Sequence, residues 1–160
     1  MASILVRPAA PADADRLLAM IDGLNAHVGA VAGKMTRDLL LRDAFGETPR
    51  FELIVAEVDA VAAGYAAWCD TYETEHAAAG FYLIDLFVAP AFRRHGLARR
   101  LVARVAAECR RRGHGFVWWT AVPGNEEAAG FYESLGSRSE PMVAHALLGK
   151  GLDALADEAE

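Results

Sequence analysis

The chain has 160 residues, of which 54% are hydrophobic, and its formal net charge is −6. This length suits one domain, and the hydrophobic fraction is enough to bury a core. The negative charge argues against a nucleic-acid surface spread over the domain, and no segment approaches the ~20 uninterrupted apolar residues of a membrane span. We therefore expect a single domain with no nucleic-acid or membrane partner.

The cysteines and the N-terminus bear on cellular location. Cys69 and Cys109 lie far apart in the sequence and have no metal-ligand or redox spacing. Free buried thiols are therefore expected, which suits a reducing compartment. The N-terminus lacks a basic start followed by a long apolar stretch, so we expect no secretory signal. The predicted location is the cytoplasm, and no metal site is predicted.

The first half of the chain predicts a strand, two helices and a hairpin. Residues 4–7 are typical of a short strand, and apolar residues recur at helical spacing over residues 12–27. Thr36 is placed to N-cap a second helix that ends at Gly46. Two strands rich in β-branched and aromatic residues follow, with a turn near Asp59.

The second half predicts a strand, a helix, a strand, a helix and a strand. "GFYLIDLFVAP" indicates a long strand, and Gly96 to Arg112 is the clearest helix, with an apolar stripe ending at Cys109. "FVWWTAV" predicts a strand, "GNEEAAGFYESLG" a short helix and "MVAHALL" a last strand. Helices interleaved with strands around one sheet make an α/β or α+β domain over residues 1–150. The tail at 151–160 is either a frayed helix or disordered.

The corner between the third long strand and the clearest helix, "APAFRRHGLAR", concentrates positive charge and backbone freedom. A helix N-terminus offers unpartnered N–H groups and partial positive charge, which phosphate oxygens satisfy. Gly96 and Ala98 remove side-chain bulk, and Arg93, Arg94 and Arg99 would add charge-assisted hydrogen bonds. The alternative is a tight turn with solvated arginines. Solvation is the expectation for the remaining arginines of this helix: Arg100, Arg104, Arg110, Arg111 and Arg112.

Taken with its neighbours, this corner resembles the GCN5-related N-acetyltransferases (GNAT). It follows "YLIDLFVAP" and precedes "NEEAAGFYESLG", the second landmark of that family. "VRPAAPADADRLLAMI" and "LLLRDAFGETPRFELIVAEV" are similar to the diamine (spermidine/spermine) acetyltransferase subfamily. The resemblance covers residues 4 to 150. It implies a mixed, mostly antiparallel central sheet flanked by helices, and acetyl-CoA as co-substrate.

The resemblance assigns the cofactor site residue by residue. The diphosphate of acetyl-CoA would bind the loop formed by Arg93, Arg94, His95, Gly96, Leu97, Ala98 and Arg99. The pantetheine arm would run beside the strand end at Phe87 and Val88, where a backbone N–H would stabilise negative charge on the thioester carbonyl. Asn125 would contact the cofactor arm, and it could equally N-cap the following helix.

The implied reaction is direct attack of a primary amine on the thioester, and Tyr132 is the expected general acid. The resemblance places Tyr132 near the thioester sulfur. Its reference pKa of about 10 lies above the roughly 8.5 of a simple thiol, so proton transfer to the leaving thiolate is not strongly uphill. The alternative is that Tyr132 only packs with Phe131 on an amphipathic helix.

Asp85 is the expected general base, through a water chain. It could instead bind the substrate ammonium, or be structural. The subfamily usually has two adjacent acids in this strand, and here Ile84 replaces one of them. His76, with Glu73 or Glu75, offers an alternative proton relay in the preceding loop.

The expected acceptor is a small primary amine, diamine-like or amino-acid-like. Diamine enzymes typically carry paired acids in the first interhelical loop. Here that loop is "NAHVGAVAGK", which contains no acid and ends in a lysine. Substrate binding is therefore assigned to Asp85, Glu73 and Glu75. Two other functions stay open at this point: an acetyl-CoA sensor module that has lost catalysis, and a protein or peptide N-acetyltransferase.

Two expectations concern packing and assembly. Trp118 and Trp119 should point to opposite faces of their strand. We expect one of them to fill the core and the other to lie near the cofactor or an interface. Many relatives dimerise, so a homodimer is expected, and the strands expected after Gly136 are the predicted place.

Overall fold

The computed structural model of the protein describes residues 2–159. Contacts divide the chain into two compact units, one ending at Asn125 and the other beginning at Glu126. Short 3-10 turns precede the first and third α-helices, at Pro11–Asp13 and Pro90–Phe92. The strands and helices, in chain order, are β1 Ile4–Pro8, α1 Ala14–His27, α2 Arg37–Phe45, β2 Glu52–Val58, β3 Val61–Glu73, β4 Ala78–Val88, α3 Leu97–Arg111, β5 Phe116–Trp118, α4 Glu126–Ser134 and α5 Lys150–Asp157.

The strands form one sheet whose spatial order equals the chain order, β1–β2–β3–β4–β5. β1 to β4 pair antiparallel, and β5 pairs parallel with β4. A parallel pair needs a crossover, and α3 provides it. The expected mixed, mostly antiparallel sheet with flanking helices is confirmed.

Local sequence signals explain the first connections. Asp59 and Ala60 join β2 to β3 with left-handed φ angles of 49° and 64°, the conformation that a two-residue hairpin turn needs. Thr36 caps α2, since its hydroxyl oxygen accepts from the Leu39 amide at 3.3 Å. Both features lie where the sequence predicts them.

The two faces of the sheet bury separate apolar clusters. On one face α3 buries the predicted stripe of Leu97, Leu101, Val105 and Cys109. On the other face α1 and α2 cover a second cluster that contains the fully buried Tyr65. Full burial of one large apolar side chain contributes about 1.5–3 kcal/mol to the free energy of folding. Burial in these two clusters therefore stabilises the packing of helices on both faces of the sheet. Cys109 is buried and Cys69 half-buried, and both thiols are free.

The predicted last strand is wrong. Residues 141–148 contain no strand, and their large apolar side chains are exposed, with Val143 at 81% and Leu148 at 78%. An apolar run predicts a strand only if a neighbouring strand accepts its backbone, and none does within residues 2–159. The tail is helical as α5, with Leu152 and Leu155 half-exposed.

The strand predicted from "FVWWTAV" is shorter than expected, because β5 ends at Trp118. Trp119 packs against the cluster under α3, as predicted for one of the two tryptophans. Trp118 is 43% exposed, and its ring centroid lies 5.3 Å from that of Tyr82. Within residues 2–159, no helix combines the length and apolarity that crossing a bilayer demands.

Arg112 departs from the predicted solvated face of α3. Its guanidinium donates to Glu52 at 2.6 Å and to Glu108 at 2.8 Å, and its central carbon lies 5.1 Å from the Phe81 ring centre. Hydrogen bonds from Arg111 and Arg112 lower the pKa of Glu108 to about 2. The contact with Glu52 joins residues 60 positions apart, which helical periodicity alone does not predict.

Candidate active site

The candidate site begins where β4 and β5 separate. Their ladder pairs Gly80–Tyr82 with Phe116–Trp118 and then stops, although β4 continues to Val88. Along residues 83–88, β4 is therefore paired on its β3 side and, in the part of the chain that the structure describes, has no β5 partner. An unpaired strand edge offers its N–H and C=O groups to an extended ligand.

The pairing of β4 with β3 indicates which amides face this open edge. The Ala89 amide donates to the Ala63 carbonyl at 2.9 Å, and opposite residues of an antiparallel ladder alternate between bonded and non-bonded pairs. Phe87, opposite Tyr65, is therefore in a bonded pair, and its N–H points toward β3. Val88 points its N–H away from β3. Of the two strand-end residues in the prediction, Val88 rather than Phe87 offers its amide at the open edge.

The Phe87 side chain belongs to the core. It is 7% exposed, and a Cβ atom added to Gly23 of α1 would lie 3.0 Å from the tip of its ring. Phe87 thus fixes how closely α1 approaches the sheet. The backbone N–H of Phe87 points toward β3, so Phe87 does not offer this group at the open edge.

The corner between β4 and α3 has the backbone conformation of an anion-binding loop. Arg94 and Gly96 both adopt left-handed φ angles, 67° and 74°. Gly96 is the N-cap residue of α3, no side chain among residues 2–159 caps this helix, and its first turn carries no acid. A Cβ atom on Gly96 would meet nothing within 4 Å. The first N–H groups of α3 therefore meet the requirements of a phosphate.

The side chains of the corner differ in what they do. The Arg93 Nε donates to the Val88 carbonyl at 3.2 Å, and His95 Nδ1 lies 2.8 Å from the Arg93 carbonyl oxygen, which places the ring proton on Nδ1. Leu97, the first residue of α3, is buried in the cluster beneath that helix. Arg94, His95 and Arg99 are exposed and Ala98 is half-buried, as a loop open to a ligand requires.

Asp85 lies on β4, three residues before Val88 and beside a β-bulge. Ala67 pairs with Asp85 while Trp68 pairs with Leu83, so Ile84 has no partner on β3 and is 40% exposed. Bulges of this kind redirect neighbouring side chains. Burial raises the pKa of the half-buried Asp85 carboxyl, and a hydrogen bond from Tyr65 partly lowers it.

Tyr65 is the residue of this site that the sequence analysis missed. Its hydroxyl donates to Asp85 Oδ2 at 2.9 Å, and its side chain is fully buried. Burial, with the charge of Asp85, raises the pKa of the Tyr65 phenol far above its usual value. A phenol in an otherwise apolar strand was the available signal, since a buried hydroxyl needs a partner.

The structure brings Glu73, Glu75 and His76 together but not with Asp85. Their donor atoms lie within 4.8 Å of one another at the exposed tip of the β3–β4 hairpin. Glu73 pairs with Ala78, and the strand from there to Asp85 spans about 23 Å at the usual rise per residue. All three carboxylates were assigned to substrate binding because they were expected near the mouth of the site. The length of β4 separates them.

The unit that begins at Glu126 contains Tyr132. Tyr132 lies on α4, half-buried, and burial raises the pKa of its phenol. Its ring centroid is 5.4 Å from that of Phe131, so the packing foreseen as an alternative does occur. Asn125, which ends the first unit, directly precedes α4, the position of an N-cap.

Comparisons with known proteins identify the family of the chain. The Acetyltransferase (GNAT) family matches residues 24–136. A thialysine N-epsilon-acetyltransferase from Sus scrofa is 29% identical over 147 residues, which covers 86% of this chain and 86% of that protein. An L-ornithine N5-acetyltransferase from Arabidopsis thaliana is 34% identical over 80 residues, covering 50% of this chain and only 35% of that relative.

Solved structures share the fold. An integron cassette protein from V. cholerae superimposes with a TM-score of 0.79 at 22% identity, over 96% of this chain and 98% of that chain. An aminoglycoside N-acetyltransferase in complex with CoA has a TM-score of 0.76 at 19% identity, over 91% and 95% of the two chains. The family match covers more than half of the sequence, and the sheet topology agrees with it. The chain belongs to the GNAT family and is an acetyltransferase.

Proposed function

We propose that the protein transfers the acetyl group of acetyl-CoA to the primary amine of a small molecule by direct attack. The observation that carries the proposal is the continuity of two open backbone surfaces. The unpaired edge of β4 ends at Val88, and the uncapped N-terminus of α3 begins at Gly96. A diphosphate suits the helix N-terminus, and the extended arm of CoA suits the strand edge.

The corner fits the cofactor in charge as well as in shape. Arg94 and Arg99 are exposed around the N-terminus of α3, and Arg93 lies between that helix and β4. Arginine donors to phosphate are charge-assisted and therefore stronger than neutral hydrogen bonds. We assign the diphosphate to the amides from Gly96 to Ala98, with these arginines around it. Asn125 remains our proposed contact for the arm.

Asp85 is our proposed general base. A primary ammonium must lose a proton before its nitrogen can attack, and Asp85, directly or through water, accepts that proton. Burial raises the pKa of the Asp85 carboxyl, which makes its anion more basic than that of an exposed aspartate. After the transfer Asp85 returns the proton to solvent.

We propose that Val88 and Tyr132 stabilise the negative charge that develops on acetyl-CoA during the transfer. Acetyl-CoA supplies an activated carbonyl: the C–N bond forms, the C–S bond breaks, and a thiolate leaves. The Val88 N–H stabilises the carbonyl oxygen as it becomes negative, a contribution of about 3–4 kcal/mol where one such donor has been removed from other enzymes. Tyr132 donates its phenolic proton to the thiolate, and the acetylated nitrogen releases its second proton to solvent, which leaves a neutral amide. Tyr132 then regains a proton from solvent.

The acceptor we propose is an amino acid or short diamine with a terminal primary amine. Asp85 is the carboxylate of the first unit that we place at the reacting centre, which matches one ammonium rather than a polyamine. The names of two relatives, a thialysine N-epsilon- and an L-ornithine N5-acetyltransferase, support a side-chain amine. We further propose a cytoplasmic homodimer that needs no metal.

The experiment is a panel of amines with acetyl-CoA, followed by the release of free CoA thiol. We expect turnover with thialysine, L-ornithine or L-lysine, and slower turnover with spermidine. Two further acceptors represent competing substrate classes: sisomicin for the aminoglycosides, and a peptide with a free N-terminus for protein substrates. Binding of CoA without thiol release on any amine would contradict the proposal and favour a sensor, and turnover only on the peptide would contradict the acceptor class.

A further inference from the structure

We propose that Tyr65 is a positioning residue for this reaction: it holds the Asp85 carboxylate through Oδ2 and leaves Oδ1 to accept the proton of the amine. The inference rests on the proposed function, in which Asp85 is the base. It adds Tyr65 to the site and gives the two Asp85 oxygens different roles, Oδ2 as the acceptor from Tyr65 and Oδ1 as the proton acceptor.

The register of β3 and β4 places Tyr65 next to Asp85. Tyr65 pairs with Phe87 and Asp85 pairs with Ala67, so the two residues are diagonal neighbours on one face of the sheet. The hydroxyl oxygen and Oδ2 are 2.9 Å apart. Tyr65 is completely buried, so its hydroxyl needs a partner within the protein, and Asp85 supplies it.

The surroundings of Tyr65 are apolar on every packed element. α1 contributes Leu17 and Met20, α2 contributes Leu40, and β2 contributes Val55, all of them buried in the same cluster. Burial raises the pKa of the Asp85 carboxyl, and the hydrogen bond from Tyr65 lowers it. Among residues 2–159, no other hydrogen bond to the Asp85 side chain occurs.

Burial and the phenol act on Asp85 in opposite directions. Burial raises the pKa of the Asp85 carboxyl and so strengthens its basicity, whereas donation by Tyr65 lowers that pKa by stabilising the ionised form. The Tyr65 phenol itself does not ionise in the working range, since its pKa is raised. Its role is therefore to orient Asp85 and set its ionisation, without moving a proton to the substrate.

The test compares Tyr65→Phe with the parent protein, and Tyr72→Phe on the same strand is the matched control because Tyr72 is 61% exposed. The first readout is the titration of the Asp85 carboxyl by ¹³C NMR, which needs no activity. Loss of one hydrogen bond to a charged group should raise the Asp85 midpoint by about one pH unit. Tyr72→Phe should leave the midpoint where it is in the parent.

The second readout is kcat/KM for the best amine of the panel as a function of pH. In Tyr65→Phe we expect about a tenfold loss below the Asp85 midpoint and a smaller loss above it, because the base is protonated over a wider range. The KM for acetyl-CoA should be unchanged. A purely structural role for Tyr65 would lower activity by the same factor at every pH.

The outcomes separate this inference from the proposed function. Turnover in the parent with an unshifted Asp85 midpoint in Tyr65→Phe overturns the role of Tyr65 alone. A shifted midpoint in a protein that acetylates no amine overturns the proposed function and with it the catalytic meaning of the contact. If Tyr65→Phe does not fold, a tyrosine hydroxyl proton with a nuclear Overhauser effect to Asp85 is expected in the parent and must vanish in Asp85→Ala; its absence in the parent overturns the inference.

Discussion

Arg93 ties the helix corner to the strand end, because its Nε donates to the Val88 carbonyl oxygen over 3.2 Å. Val88 points its amide toward the open edge of β4, and Gly96, three residues after Arg93, is the N-cap of α3. This hydrogen bond ties the loop between strand and helix to the end of β4. Two backbone surfaces that suit one long ligand are thereby held in a single arrangement, which reduces the ordering that binding would require.

Arg94→Ala should weaken the affinity for CoA by about tenfold at low salt, because it removes a charge-assisted contact with the diphosphate. The loss should shrink at high salt, where the parent contact is screened. Isothermal titration calorimetry at two salt concentrations measures both effects. Arg110→Ala, an exposed arginine in the last turn of the same helix, is the control and should bind CoA as the parent does. Equal affinities of Arg94→Ala and the parent would move the diphosphate elsewhere.

Gly96→Ala and Gly113→Ala separate backbone strain from ligand binding. The two glycines have the same φ of 74°, and a Cβ atom at either would touch nothing within 4 Å. Each substitution should destabilise the fold by about 1–2 kcal/mol, the penalty of a left-handed non-glycine residue, as measured by urea unfolding. Only Gly96→Ala should also weaken CoA binding. A similar affinity loss in both variants would mean that strain alone is responsible.

Asp85→Asn should abolish most acetyl transfer and at the same time stabilise the protein. The folded-state pKa of Asp85 is raised mainly by burial, so its ionisation weakens the fold as pH rises from the unfolded value, about 3.9, through the folded one. The amide keeps an acceptor for Tyr65 without the buried charge. We expect a melting temperature a few degrees above the parent at pH 7 and equal to it near pH 3.

Calorimetry and the thiol-release assay measure these two effects on one sample. Asp153→Asn, on the exposed α5, is the control and should change neither stability nor activity. An Asp85→Asn protein that is less stable at pH 7 would show that the carboxylate stabilises the fold. Full activity in that variant would show that it is not the base.

Tyr132→Phe should lower kcat by about 10²–10⁴ with little change in CoA affinity, since general acids contribute that range. Burial raises the pKa of Tyr132, so parent activity should not fall on the alkaline side until above pH 10, where the phenol ionises. Single-turnover kinetics with Tyr72→Phe as control measure the chemical step. A variant as fast as the parent would remove Tyr132 from the mechanism.

Much of the fold followed from local signals, and the errors share a cause. Thr36, Asp59 and the stripe from Leu97 to Cys109 were predicted because each depends on residues nearby in sequence. The strand predicted at residues 142–148 failed because a strand needs a partner that no local pattern supplies. Arg112 was predicted as solvated because Glu52, its partner, is remote in sequence.

The candidate site shows the same contrast between residues that local sequence predicts and residues that depend on strand pairing. The helix start at Gly96 and its neighbouring arginines could be predicted because these residues are consecutive; anion binding there is part of our proposal. Glu73 and Glu75 were grouped with Asp85 because the sequence does not show that β4 carries them about 23 Å away. Tyr65 was missed since its contact with Asp85 depends on the register of two strands. Only pairing, which is a tertiary property, brings that phenol to the carboxylate.

A crystal structure of the protein with CoA tests the central claim most directly. We predict diphosphate oxygens about 3 Å from the amide nitrogens between Gly96 and Ala98, with the pantetheine arm along residues 83–88 of β4 and hydrogen-bonded to Val88. A diphosphate bound away from the N-terminus of α3, or an arm that leaves the β4 edge unoccupied, would contradict the account.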